Sequence, residues 1–191
     1  MITLHPASTA LVLIDLQQGI VAMKTAPRPA SGVVQASRQL SAKFRARQAP
    51  VVWVNVDWAA DYADAPPGLT DVVPTRRKGG LPPGWADLVE DLAEPDDLRV
   101  TKHQWGAFTG TDLDLQLRRR GIDTIVLGGI ATHMGVESTA RHAWELGYHV
   151  VVVEDACAGP SAELHAASFT HVFPHIARVA SLRSLRWRAT G

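Results

Sequence analysis

Three short segments hold the residues of this 191-residue chain whose types and positions best suit chemistry. Asp15 closes the apolar run Ala10-Leu11-Val12-Leu13-Ile14. A carboxylate at the end of such a run is partly desolvated, which raises its pKa, whereas a nearby ammonium lowers it. It then serves as general acid or base according to which influence wins, or it caps a loop through backbone hydrogen bonds. Lys102 lies in Val100-Thr101-Lys102-His103-Gln104-Trp105-Gly106-Ala107-Phe108. A lysine at a strand end is commonly a solvated charge. The large rings of Trp105 and Phe108, in a polar loop containing glycine, point instead to a substrate wall. The third segment is Gly128-Gly129-Ile130-Ala131-Thr132-His133-Met134-Gly135-Val136-Glu137-Ser138-Thr139-Ala140-Arg141. In it, the His133 imidazole is able to donate to a substrate carboxylate or act as an acid near neutral pH, and Met134 is expected on the site floor.

Other reactive side chains are less well placed. Cys157 follows Val150-Val151-Val152-Val153 and Glu154-Asp155-Ala156, the setting of an inert core thiol. Ser138 does not sit in a Gly-x-Ser-x-Gly elbow and is expected to bond backbone. Asp57 and Asp61 have no neighbouring histidine, and Pro174 separates His171 from His175, so no required metal is indicated. The glycines at 128, 129 and 135 miss the Gly-x-Gly-x-x-Gly spacing, so no dinucleotide is indicated either. The expectation is no cofactor.

The elements that must position these groups are legible as periodicity. Apolar runs recur at 10–14, 51–56, 98–100, 124–127 and 150–153, with a weaker one at 177–179. Several are continuous, as in strands covered on both faces. Between them lie helical patterns. One starts near Ser31 with Val33, Leu40 and Phe44 on a face; one has Thr111 as N-cap and Gly121 as its stop; one carries Val136, Ala140, Ala143 and Trp144 and ends at Gly147. Strand–helix alternation predicts an α/β fold, a parallel sheet with helices on both faces, in a single domain over residues 1–191. Ligands of open α/β sheets bind beyond the carboxyl ends of strands where the strand order reverses. Asp15 closes the first strand, Lys102 follows the third and the 128–135 turn follows the fourth. Residues 57–95, punctuated by Pro66-Pro67-Gly68 and Pro82-Pro83-Gly84, read as a lid, a partner surface, or an excursion with a short helix near 85–92.

Composition excludes several partners. Lysine plus arginine equal aspartate plus glutamate, 19 against 19, so no nucleic acid is expected. No apolar run approaches the ~20 residues of a membrane span, and no signal peptide is evident. One cysteine forms no internal disulfide. A cytoplasmic protein with a small-molecule substrate is the expectation. The six tryptophans include Trp58, Trp85 and Trp105 in or beside loops, an aromatic surface that suggests association.

Taken together, these segments resemble the isochorismatase-like hydrolases of the cysteine hydrolase superfamily. Leu11-Val12-Leu13-Ile14-Asp15-Leu16-Gln17 resembles that family's first catalytic strand. Lys102 with Trp105-Gly106-Ala107-Phe108 and Thr111-Asp112-Leu113 resembles its lysine segment, and 129–140 its third motif; Val151 to Ala158 looks like the strand and Glu-Asp-Ala turn that follow. The resemblance implies a Rossmann-like three-layer fold with a six-stranded parallel sheet. It also implies a non-proline cis peptide at Ile130-Ala131 that aims backbone N–H groups into the site, and a homo-oligomer, dimer or tetramer. It carries over Asp15 and Lys102 as catalytic; beside them, Trp58, Trp105, Phe108, Ile130, Ala131, His133 and Met134 are expected to bind substrate. Many members have a nucleophilic cysteine where this chain has Gly135, so the chain resembles a subgroup without that thiol. The isochorismatases proper also have glycine there and hydrolyse a vinyl ether, although Ala131-Thr132-His133 is closer to the cysteine branch. The expected function is a hydrolase of a small molecule using Asp15 and Lys102; the alternative is an inactive binding or assembly module on the same fold.

Overall fold

The computed structural model describes residues 1–188; the last three residues of the expected 1–191 domain lie outside that range. Its main sheet has six parallel strands: β2 (Thr9–Ile14), β3 (Val51–Val56), β4 (Leu98–Lys102), β5 (Thr124–Ile130), β6 (His149–Ala158) and β7 (Arg178–Ala180). They lie in the order β4-β3-β2-β5-β6-β7. The order reverses between β2 and β5, which pair from Thr9 with Thr124 to Ile14 with Gly129. The crevice beyond those two carboxyl ends is where an open α/β sheet holds its ligand.

Alternation within the continuous apolar runs divides the core between two faces. Leu11, Leu13, Trp53, Val126, Val151 and Val153 face α2 (Ala30–Arg45), which contributes Val33, Leu40 and Phe44. Ala10, Val12, Val54, Leu127 and Val152 face the opposite layer, built from α3 (Leu113–Arg119), α4 (Glu137–Glu145) and Phe173 of α6 (Phe173–Ile176). Each fully buried leucine or phenylalanine stabilises this sandwich by ~1.5–3 kcal/mol before the cost of ordering the chain. The shorter helices α1 (Gln18–Val21) and α5 (Ala162–Ala167) complete the set. Two three-residue strands, β1 (Ile2–Leu4) and β8 (Leu185–Trp187), pair in parallel as a separate sheet that the periodicity did not reveal.

Helix ends follow the turn chemistry of the sequence. Gly121 and Gly147 leave α3 and α4 with φ of 66° and 85°, while the cap position of α3 is Asp112, one residue beyond the expected Thr111, whose hydroxyl still accepts from the Leu113 amide at 3.2 Å. Other boundaries moved. Lys102 is the last residue of β4 rather than one that follows the strand, and Gly128 and Gly129 belong to β5 rather than to the turn. A Cβ on Gly129, where φ is 133°, would lie 2.1 Å from the Ile14 carbonyl oxygen, so only glycine lets β5 pass β2 there. The expected Glu-Asp-Ala turn is strand, because β6 continues to Ala158 through a register irregularity opposite Leu127 and Gly129.

The 57–95 segment contains no helix near 85–92; it has turns there, and side chains tie it down, among them Gln17 donating to the Trp85 carbonyl at 3.4 Å and Arg38 to the carbonyls of Glu90 and Asp91. Gln17 is fully buried, and its amide accepts from Val56 N–H at 2.8 Å and donates to the Val56 carbonyl at 2.9 Å. This side chain takes the place of a backbone rung beyond the end of β2. Alongside it, Val89 N–H donates to the Leu16 carbonyl and Gln18 N–H to the Asp87 carbonyl. The Trp85 indole lies on Gly19, where a Cβ would come within 2.0 Å of its nitrogen. Gln17→Leu orphans both buried Val56 groups, each worth roughly 1–3 kcal/mol. Urea denaturation is expected to show a loss of roughly 2–6 kcal/mol in unfolding free energy, with residues 85–89 cut first by protease.

Candidate active site

Asp15 stands immediately after β2, in the left-handed region with φ of 54° and its N–H on the Val54 carbonyl at 2.8 Å. Lys102 ends β4, two strands away, and reaches across the end of β3. Its Nζ donates to Asp15 Oδ2 at 2.9 Å and to the Gln104 carbonyl at 3.0 Å. Both partners are out of solvent: the aspartate is 6% exposed and the lysine 1%. Asp15 Oδ1 is buried and makes no hydrogen bond. Burial pushes the Asp15 carboxyl up to about 6, against the lowering by the Lys102 charge and hydrogen bond. Desolvation therefore outweighs the ion pair, and the carboxyl titrates close to neutrality rather than in the usual acid range.

The turn after β5 supplies the opposite wall. The Ile130-Ala131 peptide is cis, and Thr132–Val136 forms a wide helical turn leading directly into α4. A Cβ on Gly135 would lie 2.9 Å from Ile14 Cγ2, 3.2 Å from Asp15 Oδ2 and 3.5 Å from the Trp105 carbonyl oxygen. The glycine thus lets the turn close onto Asp15, and any side chain there would press on the carboxylate. Thr139 locks the arrangement: its hydroxyl donates to the Gly135 carbonyl at 2.6 Å and accepts from Ala107 N–H at 3.1 Å. Asp15, the Lys102 segment and Gly135 are one constellation.

The remaining expected residues divide. Trp105 is exposed, and its backbone borders Gly135. His133, half-buried on the turn, has an unpartnered Nδ1, and burial, opposed by Glu137, holds its pKa below the usual imidazole value. Met134 and Ala131 are also half-buried there. Trp58 donates its indole N–H to the His103 carbonyl at 2.6 Å and, with Trp85, lines a cavity of ≈ 280 Å³ beside the end of β3. Phe108 is not a substrate wall: it is buried between His142 and Tyr148, with ring centroids at 5.5 and 5.7 Å, because the loop turns it into the α3–α4 core. Ile130 likewise points into the core on the α2 side. Cys157 is fully buried, and that burial pushes its thiol up to about 12, the setting of an unreactive core thiol. Among the described residues, no three His, Cys, Asp or Glu side chains gather as a metal cluster. Sequence reasoning passed over Gln17 and Thr139. Thr139 carried a signal, lying one helical turn beyond Gly135 on the same face.

Residues 9–184 match the family model described as the isochorismatase domain. The chain belongs to the isochorismatase family. It is 52% identical over 186 residues to the uncharacterized isochorismatase family protein YecD of Escherichia coli O157:H7, covering 97% of this chain and 98% of that one. The ureidoacrylate amidohydrolase RutB of Methylobacterium radiotolerans is 32% identical over 210 residues, with 96% and 81% covered. The solved structure of an isochorismatase family protein from Burkholderia thailandensis superposes with a TM-score of 0.90 at 48% identity, over 96% of this chain and 95% of that one. The α/β fold with its six-stranded parallel sheet is therefore the family fold, and the chain is a family hydrolase.

Since Lys102 lowers the Asp15 pKa, Lys102→Met, which keeps the buried stem and removes the charge, is expected to raise it further. The titration midpoint of the Asp15 carboxyl, followed by side-chain 13C NMR, should move above the wild-type value of about 6. A downward movement would contradict the balance of burial and charge described above.

Proposed function

We propose that this chain hydrolyses a small molecule without a covalent intermediate, as a member of a subgroup with glycine in place of the nucleophilic cysteine, and that Asp15 is its general acid. The observation that supports this reading is the buried Asp15 carboxyl, poised at about 6 beside a position, Gly135, that has no side chain. Lys102 holds Oδ2, so Oδ1 is the atom free to carry and deliver the proton. At pH 7 a carboxyl of pKa about 6 is protonated about a tenth of the time, and an anionic substrate raises that share.

Vinyl-ether hydrolysis fits these parts. Asp15 protonates the terminal methylene carbon of the enol ether, leaving an oxocarbenium ion. Water adds to that cation and returns a proton to the Asp15 carboxylate; the hemiketal then collapses to a ketone and an alcohol. No thiol takes part. Lys102 keeps the carboxyl oriented, and Trp58, Trp105, Ala131, His133 and Met134 offer the substrate its contacts.

The test is a screen of vinyl ethers, amides and esters against wild type, Asp15→Asn, Lys102→Ala and Cys157→Ala. Turnover of a vinyl ether is expected to fall by ~10²–10⁴-fold in Asp15→Asn, the usual range for a general acid, and to persist in Cys157→Ala. Because the acid must be protonated, wild-type kcat/KM is highest below the Asp15 pKa and falls as pH rises through about 6. Loss of turnover in Cys157→Ala alone would overturn the thiol-free reading, and no turnover on any class would favour a binding module.

We also propose a cytoplasmic homo-oligomer, dimer or tetramer. Trp105 is 58% and Trp144 52% exposed, whereas Trp58 and Trp85 pack on each other, so the unburied aromatic surface is at 105 and 144 rather than in the long segment. Light scattering at micromolar concentration is expected to give a multiple of the 20.6 kDa chain mass; a monomer refutes it.

A further inference from the structure

Behind the active-site turn lies a cluster that the proposed chemistry does not use. Thr132, fully buried at the start of the turn, meets the ring of His165 with Oγ1 and Nδ1 2.9 Å apart. His165 is 3% exposed, on α5, and stacks near Phe169 with centroids 4.6 Å apart. Its Nε2 makes no hydrogen bond and faces Glu154 Oε1 at 3.7 Å. Arg28 borders the same group, donating to the carbonyls of Glu154, at 2.8 Å, and Cys157. Burial first and Arg28 second, against Glu154, hold His165 below the usual imidazole value, so the ring is neutral near pH 7 and carries one N–H. The Glu154 carboxylate favours that hydrogen on Nε2. Nδ1 then accepts, and the Thr132 hydroxyl donates.

A second tie holds the far end of the turn. Ser168, three residues beyond His165 and therefore on the same helical face, donates its hydroxyl to Glu137 Oε2 at 2.6 Å. Glu137 is the first residue after the turn. Thr132 and Glu137 thus flank Gly135, whose Cβ position is 3.2 Å from Asp15 Oδ2.

We infer that His165 is a positioning residue of this site: acting through Thr132, and with Ser168 acting through Glu137, it clamps the 132–136 turn against Asp15. No other described side chain bonds the Thr132 hydroxyl. Thr132 is buried from substrate, so the pair works by holding the wall rather than by touching the reacting atoms. When the clamp is released, the turn draws back and the Asp15 carboxyl gains water.

The readout is the Asp15 titration midpoint by 13C NMR in the whole protein, with amide hydrogen exchange across residues 132–137. His165→Leu and Thr132→Val are expected to lower the midpoint from about 6 by about one pH unit or more, toward an ordinary carboxylate. Exchange of the turn amides should quicken at least about tenfold. His165→Asn, whose amide reaches the place of Nδ1, is expected to restore both. Ser161→Ala, which removes the α5 cap on the Leu164 amide without touching the turn, should lower Tm and leave Asp15 unmoved. An unchanged midpoint in His165→Leu, or an equal fall in Ser161→Ala, overturns the inference. If His165→Leu does not fold, Thr132→Val, which is close in size and lacks only the hydroxyl, decides. The inference rests on Asp15 being the working acid, but its measurement uses no substrate, so a failed substrate screen and an unmoved midpoint are separate results.

Discussion

The buried pair of Asp15 and Lys102 constrains the rest of this molecule. Two charges withdrawn from water are costly, and their attraction offsets that cost only with good geometry and further hydrogen bonds. The lysine has both, with Asp15 Oδ2 and the Gln104 carbonyl on its ammonium. The aspartate has one oxygen satisfied and one not. That asymmetry is poor for stability and useful for chemistry, because the unsatisfied oxygen is where a proton is most readily held. Holding it requires strands two positions apart to end at matching heights. The parallel register of β2, β3 and β4 provides this, with Val54 beside Val100 and Val56 beside Lys102.

Much of this was legible in the sequence. The apolar runs marked all six strands of the main sheet. The carboxyl-end rule for open sheets singled out Asp15, Lys102 and the turn holding Gly135 before any geometry was known. What escaped had physical reasons. β1 and β8 pair only with each other, outside the strand–helix alternation that reveals the main sheet. Residues 154–158 look like a turn by composition, yet they continue β6 because the close-passing glycines of β5 leave room for an irregular pairing. Phe108 was misplaced since the direction a loop side chain faces depends on tertiary packing, here the rings of Tyr148 and His142. The roles of Gln17 and His165 depend on partners 39 and 33 residues away, a distance at which local pattern carries no information.

The same comparison clarifies Gly135. Read along the chain, it is an absence, a residue with no side chain in the middle of the third segment. In space it is where the turn after β5 meets the end of β2, with Ile14 of β2 and Asp15 just beyond it packed against the place a Cβ would fill. Thr139 and the backbone of the Lys102 segment then seal that contact from the α4 side.

The backbone of Asp15 has a consequence of its own. Its φ of 54° lies in the left-handed region, where aspartate and asparagine are enriched several-fold among residues other than glycine, because their short polar side chains bond locally. Glutamate has the same acidic group without that tolerance, and one more methylene would displace the carboxyl from Lys102. The two acids, interchangeable in a test tube, are not interchangeable at this corner. The fold admits aspartate as its acid and asparagine as its nearest silent substitute, which leaves drift at this position a very narrow path.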